Sequence, residues 1–69
     1  MIRNAVDSSL LASVGYDMAT KDLEVEFNNG QVYRYHGVPA EMYHRTMQAE
    51  SAGSFFSRNI RNHFKFSKV

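Results

Sequence analysis

The chain has no cysteine. That absence excludes disulfide staples, thiolate nucleophiles and cysteine-ligated zinc or iron–sulfur centres, and it fits a cytoplasmic home best. No apolar run approaches the roughly 18 residues of a membrane span, and the first residues, Met1 to Asp7, lack the apolar stretch of a signal peptide. No internal repeat, low-complexity tract or Pro/Gly linker divides the 69 residues. Familiar catalytic signatures are missing as well. His36, His44 and His63 do not fall at metal-ligand spacing, no serine stands in a Gly-x-Ser-x-Gly elbow, and no glycine-rich phosphate loop precedes a helix. Glu24 and Glu26 share one face of a strand pattern, but nothing predicts the enclosing pocket that would raise one carboxyl for acid–base work. The expectation is a non-enzyme with no cofactor, no metal and no membrane association.

What is present is the composition of a folding domain. Hydrophobic residues make up 43% and aromatics 13%, against a formal charge of only +1. A chain of this length buries only about 60% of the surface it exposes when unfolded, so one domain over residues 1–69 is the expectation. Charge is unevenly spread. Residues 1–30 carry Asp7, Asp17, Asp22, Glu24 and Glu26 against Arg3 and Lys21, whereas from residue 51 onward Arg58, Arg61, Lys65 and Lys68 stand without a side-chain carboxylate. Such asymmetry marks either an anion-binding face or a solvated basic helix.

Leu10, Ala12, Val14, Tyr16 and Met18 alternate with period two, Leu11 excepted, which predicts a first strand. Leu23, Val25 and Phe27 alternate with Glu24, Glu26 and Asn28 in a second. Asn28-Asn29-Gly30 is a hairpin signal. A three-residue loop ending in a left-handed Gly30 pairs Val25 with Tyr33, Leu23 with Tyr35 and Glu24 with Arg34, gathering aromatics with aliphatics and opposite charges with each other. A third strand then spans about Val32 to His36.

Pro39, the only proline, suits a helix start, and Met42, Tyr43, Thr46 and Met47 give the helix to about Gln48 a buried stripe. Ser51 or Ser54 caps a second helix running to about His63, with Ala52, Phe56, Ile60 and Phe64 as its seam and Arg58, Arg61 and Lys65 facing water. The predicted fold is α+β: a three-stranded antiparallel β-meander followed by two helices packed on one face.

Ser8-Ser9, Val14-Gly15-Tyr16-Asp17, the apolar alternation before Gly30, Tyr33-Arg34-Tyr35, Val38-Pro39, Tyr43, Ala49, Ser51, Gly53 and Ile60-Arg61 occur in an order that resembles the KTSC domain family. That small module is named for its occurrence at the C-terminus of some lysyl-tRNA synthetases and also stands alone in bacteria. The resemblance runs from about Val6 to Phe64. It implies a module of unknown function, with RNA binding suggested only through the synthetase fusion, and it carries over no catalytic residue.

The expected function is therefore a non-catalytic binding module for RNA or single-stranded nucleic acid. Arg58, Arg61 and Lys65 would contact phosphate, and Arg34, Tyr33 and Tyr35 would contact bases by stacking or hydrogen bonding. The hairpin register puts Tyr33 and Tyr35 on the face with Leu23, Val25 and Phe27, where burial under the helices is the default outcome. The alternative is a protein-interaction module or homodimer that uses an unpaired sheet edge.

Overall fold

A computed structural model describes all 69 residues. Its elements are β1 (Arg3–Ala5), β2 (Leu11–Asp17), β3 (Asp22–Phe27), β4 (Val32–Tyr35), α1 (Ala40–Gln48), α2 (Ala52–Asn59) and β5 (Phe66–Lys68). The strands form one antiparallel sheet in sequence order, β1 to β5. The α+β class stands, and the meander has five strands where three were expected. Both added strands are three-residue edges, too short for an alternation pattern to register. No helix is long and apolar enough to cross a membrane.

The central hairpin adopts the register that places like with like. Leu23 faces Tyr35, Glu24 faces Arg34 and Val25 faces Tyr33. The Phe27 N–H donates to the Gln31 carbonyl and Gly30 sits at φ +90°, so the loop holds three residues and ends in the left-handed conformation that glycine tolerates. The first predicted strand needs correction at both ends. A bulge between Leu11 and Ser13 shifts the alternation, so Leu11 is fully buried while Leu10 lies at the core's edge. Met18 belongs to the turn after β2 and is 73% exposed.

One face of the sheet carries the core. Leu11, Val14, Leu23, Val25, Phe27 and Tyr35 meet Val38 from the β4–α1 connection and Ala52, Phe56 and Ile60 from the second helical segment. Phe56 packs edge-on to both Phe27 and Tyr35. A fully buried side chain of this size contributes roughly 1.5–3 kcal/mol, so this aromatic cluster is a main support of so small a domain. In α1, Thr46 is buried and Met42, Tyr43 and Met47 pack partly against the core, with the Tyr43 ring stacked on Tyr16 at 5.2 Å.

Helix α2 starts where Ser51 accepts the Ser54 N–H. It ends earlier than the expected His63, because the Ile60 and Arg61 N–H groups both donate to the Phe56 carbonyl and close the last turn. The chain then passes through a turn, with the His63 N–H bonded to the Ile60 carbonyl, before returning as β5. Arg61 and Lys65 accordingly lie beyond the helix rather than on it.

Candidate functional site

The sequence-predicted residues do not form one surface. Tyr33 and Tyr35 point to the helix-facing side of the sheet, and Arg34 between them points to the other. Tyr35 is 1% exposed and wedged against Phe56 and Phe66, so its ring belongs to the core. Burial pushes its hydroxyl above the usual phenol range, partly offset by the Arg61 charge. Arg34 is engaged by Glu24, its Nε and Nη2 both donating to Glu24 Oε1, at 3.3 and 2.9 Å. The same carboxylate receives Arg3 Nη1 on its other oxygen at 2.8 Å. Glu24 is only 6% exposed, a position sustained by two guanidiniums. The predicted pairing of Glu24 with Arg34 holds, and the carboxylate is buried between its partners although the sequence announces no enclosure for it.

The same outer face satisfies its other charges. Ser13 donates to Glu26 at 3.0 Å. His36 meets Asp22 through Nδ1 and Ser67 through Nε2, at 3.0 and 2.9 Å, linking β3 to β5. The hydrogen bond from His36 is the main reason the Asp22 carboxyl sits below the ordinary carboxylate range. Gly15 makes the Arg3 contact feasible. It lies between Arg3 and Glu24 in the register, and a Cβ there would fall 2.6 Å from the Ile2 carbonyl oxygen and 2.9 Å from Arg3 Cγ.

The remaining candidates gather at the end of the core where α2 meets the β3–β4 turn. A cleft of about 290 Å³ is walled by Phe27 and Tyr33, by the polar side chains of Asn28, Asn29 and Gln31, and by Arg61. The Arg61 guanidinium stands 5.7 Å from the centre of the Phe27 ring. Tyr33 is half-buried, edge-on to Phe27 and stacked on Phe66 at 4.9 Å. A second cleft of about 260 Å³ holds Arg58 with Ser51, Ser54 and Ser57. Neither lining includes a carboxylate.

Both clefts share Ser9 and Leu10 as a wall, and that wall is clamped from two sides. Ser8 Oγ accepts the Leu10 and Leu11 N–H groups at 3.1 and 3.2 Å. The side-chain amide of Asn28 donates to the Ser8 carbonyl, and its backbone N–H donates to the Leu10 carbonyl. On the other side α2 approaches so closely that a Cβ on Gly53 would lie 2.6 Å from Ser8 Oγ.

Arg58 and Arg61 are exposed and form no ion pair with a carboxylate; Arg58 Nε donates to the Ser54 carbonyl. Lys65 lines neither cleft, and its carbonyl anchors β5 by accepting the His36 N–H. The sequence reading missed Phe27, Phe66, Ser9, Leu10, Gln31 and the two asparagines as surroundings of the site. Asn28 and Asn29 read as turn residues, which they are, and nothing in their pattern shows that the turn also walls a cleft.

A five-stranded antiparallel meander with two helices on one face, and a polar hydrogen-bonded network on the other, defines a small α+β domain. The chain belongs to the KTSC domain family, whose model matches residues 7–64. It is 39% identical to an uncharacterised protein of Stutzerimonas stutzeri over 100% of this chain and 99% of that one. The crystal structure of a KTSC domain protein from Yersinia pestis superposes with a TM-score of 0.93 at 38% identity, covering 99% of this chain and 96% of that one. A lysine–tRNA ligase of Nostoc punctiforme is 32% identical over 91% of this chain, which spans only 11% of the ligase.

Proposed function

We propose that this domain is a non-catalytic, cytoplasmic module that binds RNA or single-stranded nucleic acid through Arg58 and Arg61, with Tyr33 beside them. The observation that carries the reading is the contrast among arginines. Arg3 and Arg34 are consumed by Glu24, whereas Arg58 and Arg61 stand exposed without an ion-pair partner in two adjoining clefts whose linings carry no carboxylate, Glu50 lying in a further hollow that Arg58 also borders. Guanidiniums left free beside a half-buried aromatic suit phosphate and base contact. A relative carried within a lysine–tRNA ligase points in the same direction. Because binding releases counterions from the nucleic acid, affinity should fall steeply with salt. Titration of tRNA and single-stranded oligonucleotides at low and high salt tests this, and no detectable complex at low salt ends it.

A protein-interaction role, with a homodimer as its simplest form, is the second reading. It is favoured by the two open sheet edges, β1 flanked by Ile2 at 85% exposure and β5 bearing Phe66 at 51%. Lys68 on β5 counts against strand addition at that edge, since edge lysines discourage it. Sedimentation at high concentration decides the homodimer form, which a strictly monomeric species removes.

A further inference from the structure

The geometry points to a single nucleic-acid strand crossing the Ser9–Leu10 wall, with neighbouring phosphates on Arg58 and Arg61 and one unpaired base in the cleft beside Tyr33. This inference rests on the nucleic-acid reading and adds to it a path and a strandedness.

The first support is continuity. Arg58 and Arg61 occupy separate clefts that meet at one wall, so a ligand reaching both must pass over Ser9 and Leu10. A flexible polyanion can do this, and a compact ligand filling one cleft cannot. The wall is tied down by the Ser8 and Asn28 hydrogen bonds and packs closely against α2 at Gly53. A preformed path costs less ordering on binding than a mobile loop.

The second support is the chemistry of each cleft. The Arg61 guanidinium makes no hydrogen bond or ion pair and rests beside the Phe27 ring, leaving its side-chain N–H groups free for a phosphate. Arg58 has only Nε engaged, by the Ser54 carbonyl. At the α2 N-terminus, Ser51 Oγ already accepts the Ser54 N–H.

In the Arg61 cleft, Asn29 uses its carbonyl oxygen to accept the Gln31 N–H at 3.0 Å, which leaves its NH₂ free. Asn28 uses its NH₂ on the Ser8 carbonyl, which leaves its oxygen free. Together with the Gln31 amide, these groups offer both donors and acceptors next to the Tyr33 ring, the combination an unstacked base edge requires. A base locked in a duplex cannot present that edge to a recess. Glu50 lines a third hollow on the far side of Arg58 and marks where the acid-free path stops.

The test is fluorescence anisotropy with a short fluorescein-labelled single-stranded RNA of mixed sequence and the blunt duplex of the same sequence, across a range of KCl concentrations. The wild-type protein should prefer the single strand. R58Q and R61Q should each reduce the slope of log affinity against log salt by about 0.7, the single-strand value per phosphate, and the double variant by twice that. K65Q should leave the slope unchanged. Tyr33→Leu should weaken binding at least about fivefold with the slope retained. Should that variant lose its fold, side-chain amide NMR signals of Asn29 and Gln31 in the wild-type protein must shift on adding the single strand.

Duplex bound as tightly as single strand overturns the inference, and so does an unaltered slope in R58Q or a slope loss in K65Q equal to that of the arginine variants. Absent amide shifts do the same. Each of these leaves nucleic-acid binding as such standing, although an unaltered slope in R58Q also removes Arg58 from the binding residues. Failure of the wild-type protein to bind either probe at low salt removes both.

Discussion

Four of the five arginines of this domain fall into two pairs with opposite fates. On the outer face of the sheet, Arg3 and Arg34 converge on Glu24, one guanidinium on each carboxylate oxygen. At the α2 end of the core, Arg58 and Arg61 have no carboxylate within ion-pairing distance. Charge on the first face is spent on joining β1, β3 and β4, and charge at the second is left available to a ligand. A count of basic residues does not separate these cases, because what matters is whether a partner lies across the strand register.

The outer face should therefore be sensitive to substitution in stability, with Gly15 as its most exacting position. Gly15→Ala places a methyl group against the Ile2 carbonyl and the Arg3 side chain, so β1 must move and Arg3 must leave Glu24. A loss of about 2–3 kcal/mol is expected, in the range of overpacking in a tight site. Urea denaturation measures it, and hydrogen exchange should show the β1 amides losing protection first. An Ala variant as stable as wild type would mean that β1 is not held through this contact.

Glu24→Gln ranks next. It keeps the shape but removes the charge between two guanidiniums. Both partners retain solvent access, at 28% and 40% of their side-chain surface, so the expected cost is about 1–2 kcal/mol, below the figure for a fully buried pair. If high salt erased the difference between variant and wild type, the pair would count as an ordinary surface contact.

The legible part of this molecule is the part whose partners sit close in sequence. The β3–β4 hairpin was readable down to its register, because Asn28-Asn29-Gly30 sets the loop and only one pairing places Tyr33 and Tyr35 beside Val25 and Leu23. The seam of α2 was readable from its every-fourth-residue spacing, with Ala52, Phe56 and Ile60 buried. What escaped depends on distant contacts. β1 exists because Arg3 can cross Gly15 to Glu24. β5 exists because Phe66 finds Tyr33 and Tyr35. The end of α2 at Asn59 depends on a shared carbonyl acceptor that no residue type announces. The same holds for the site, where Arg58 and Arg61 were visible as an acid-free stretch but their separation from Lys65 and from Arg34 was not.

A smaller effect tests the link between Asp22 and His36. The Asp22 carboxyl is lowered chiefly by the His36 hydrogen bond. A carboxyl whose folded value lies below its unfolded one contributes stability above the unfolded pKa of about 3.9, and that contribution fades as pH falls through the lowered folded value. Wild-type stability should thus decline more between about pH 4 and pH 2 than that of Asp22→Asn. Parallel declines would show that the contact contributes nothing. The side chains involved are exposed enough that the difference should stay modest.

The sharpest test of the comparison is the variant expected to do almost nothing to the fold. R58Q/R61Q removes two cations that no carboxylate balances. Only the Arg58 bond to the Ser54 carbonyl and the Arg61 contact with the Phe27 ring are lost from the folded state. Stability should stay within about 0.5 kcal/mol of wild type, as for surface positions without a network. Urea midpoints for this double variant and for Glu24→Gln, measured side by side, set the two arginine pairs against each other directly. If R58Q/R61Q proved the more destabilised, these arginines would be part of the fold's own support, and the division between a face that spends its charge and an end that keeps it free would collapse.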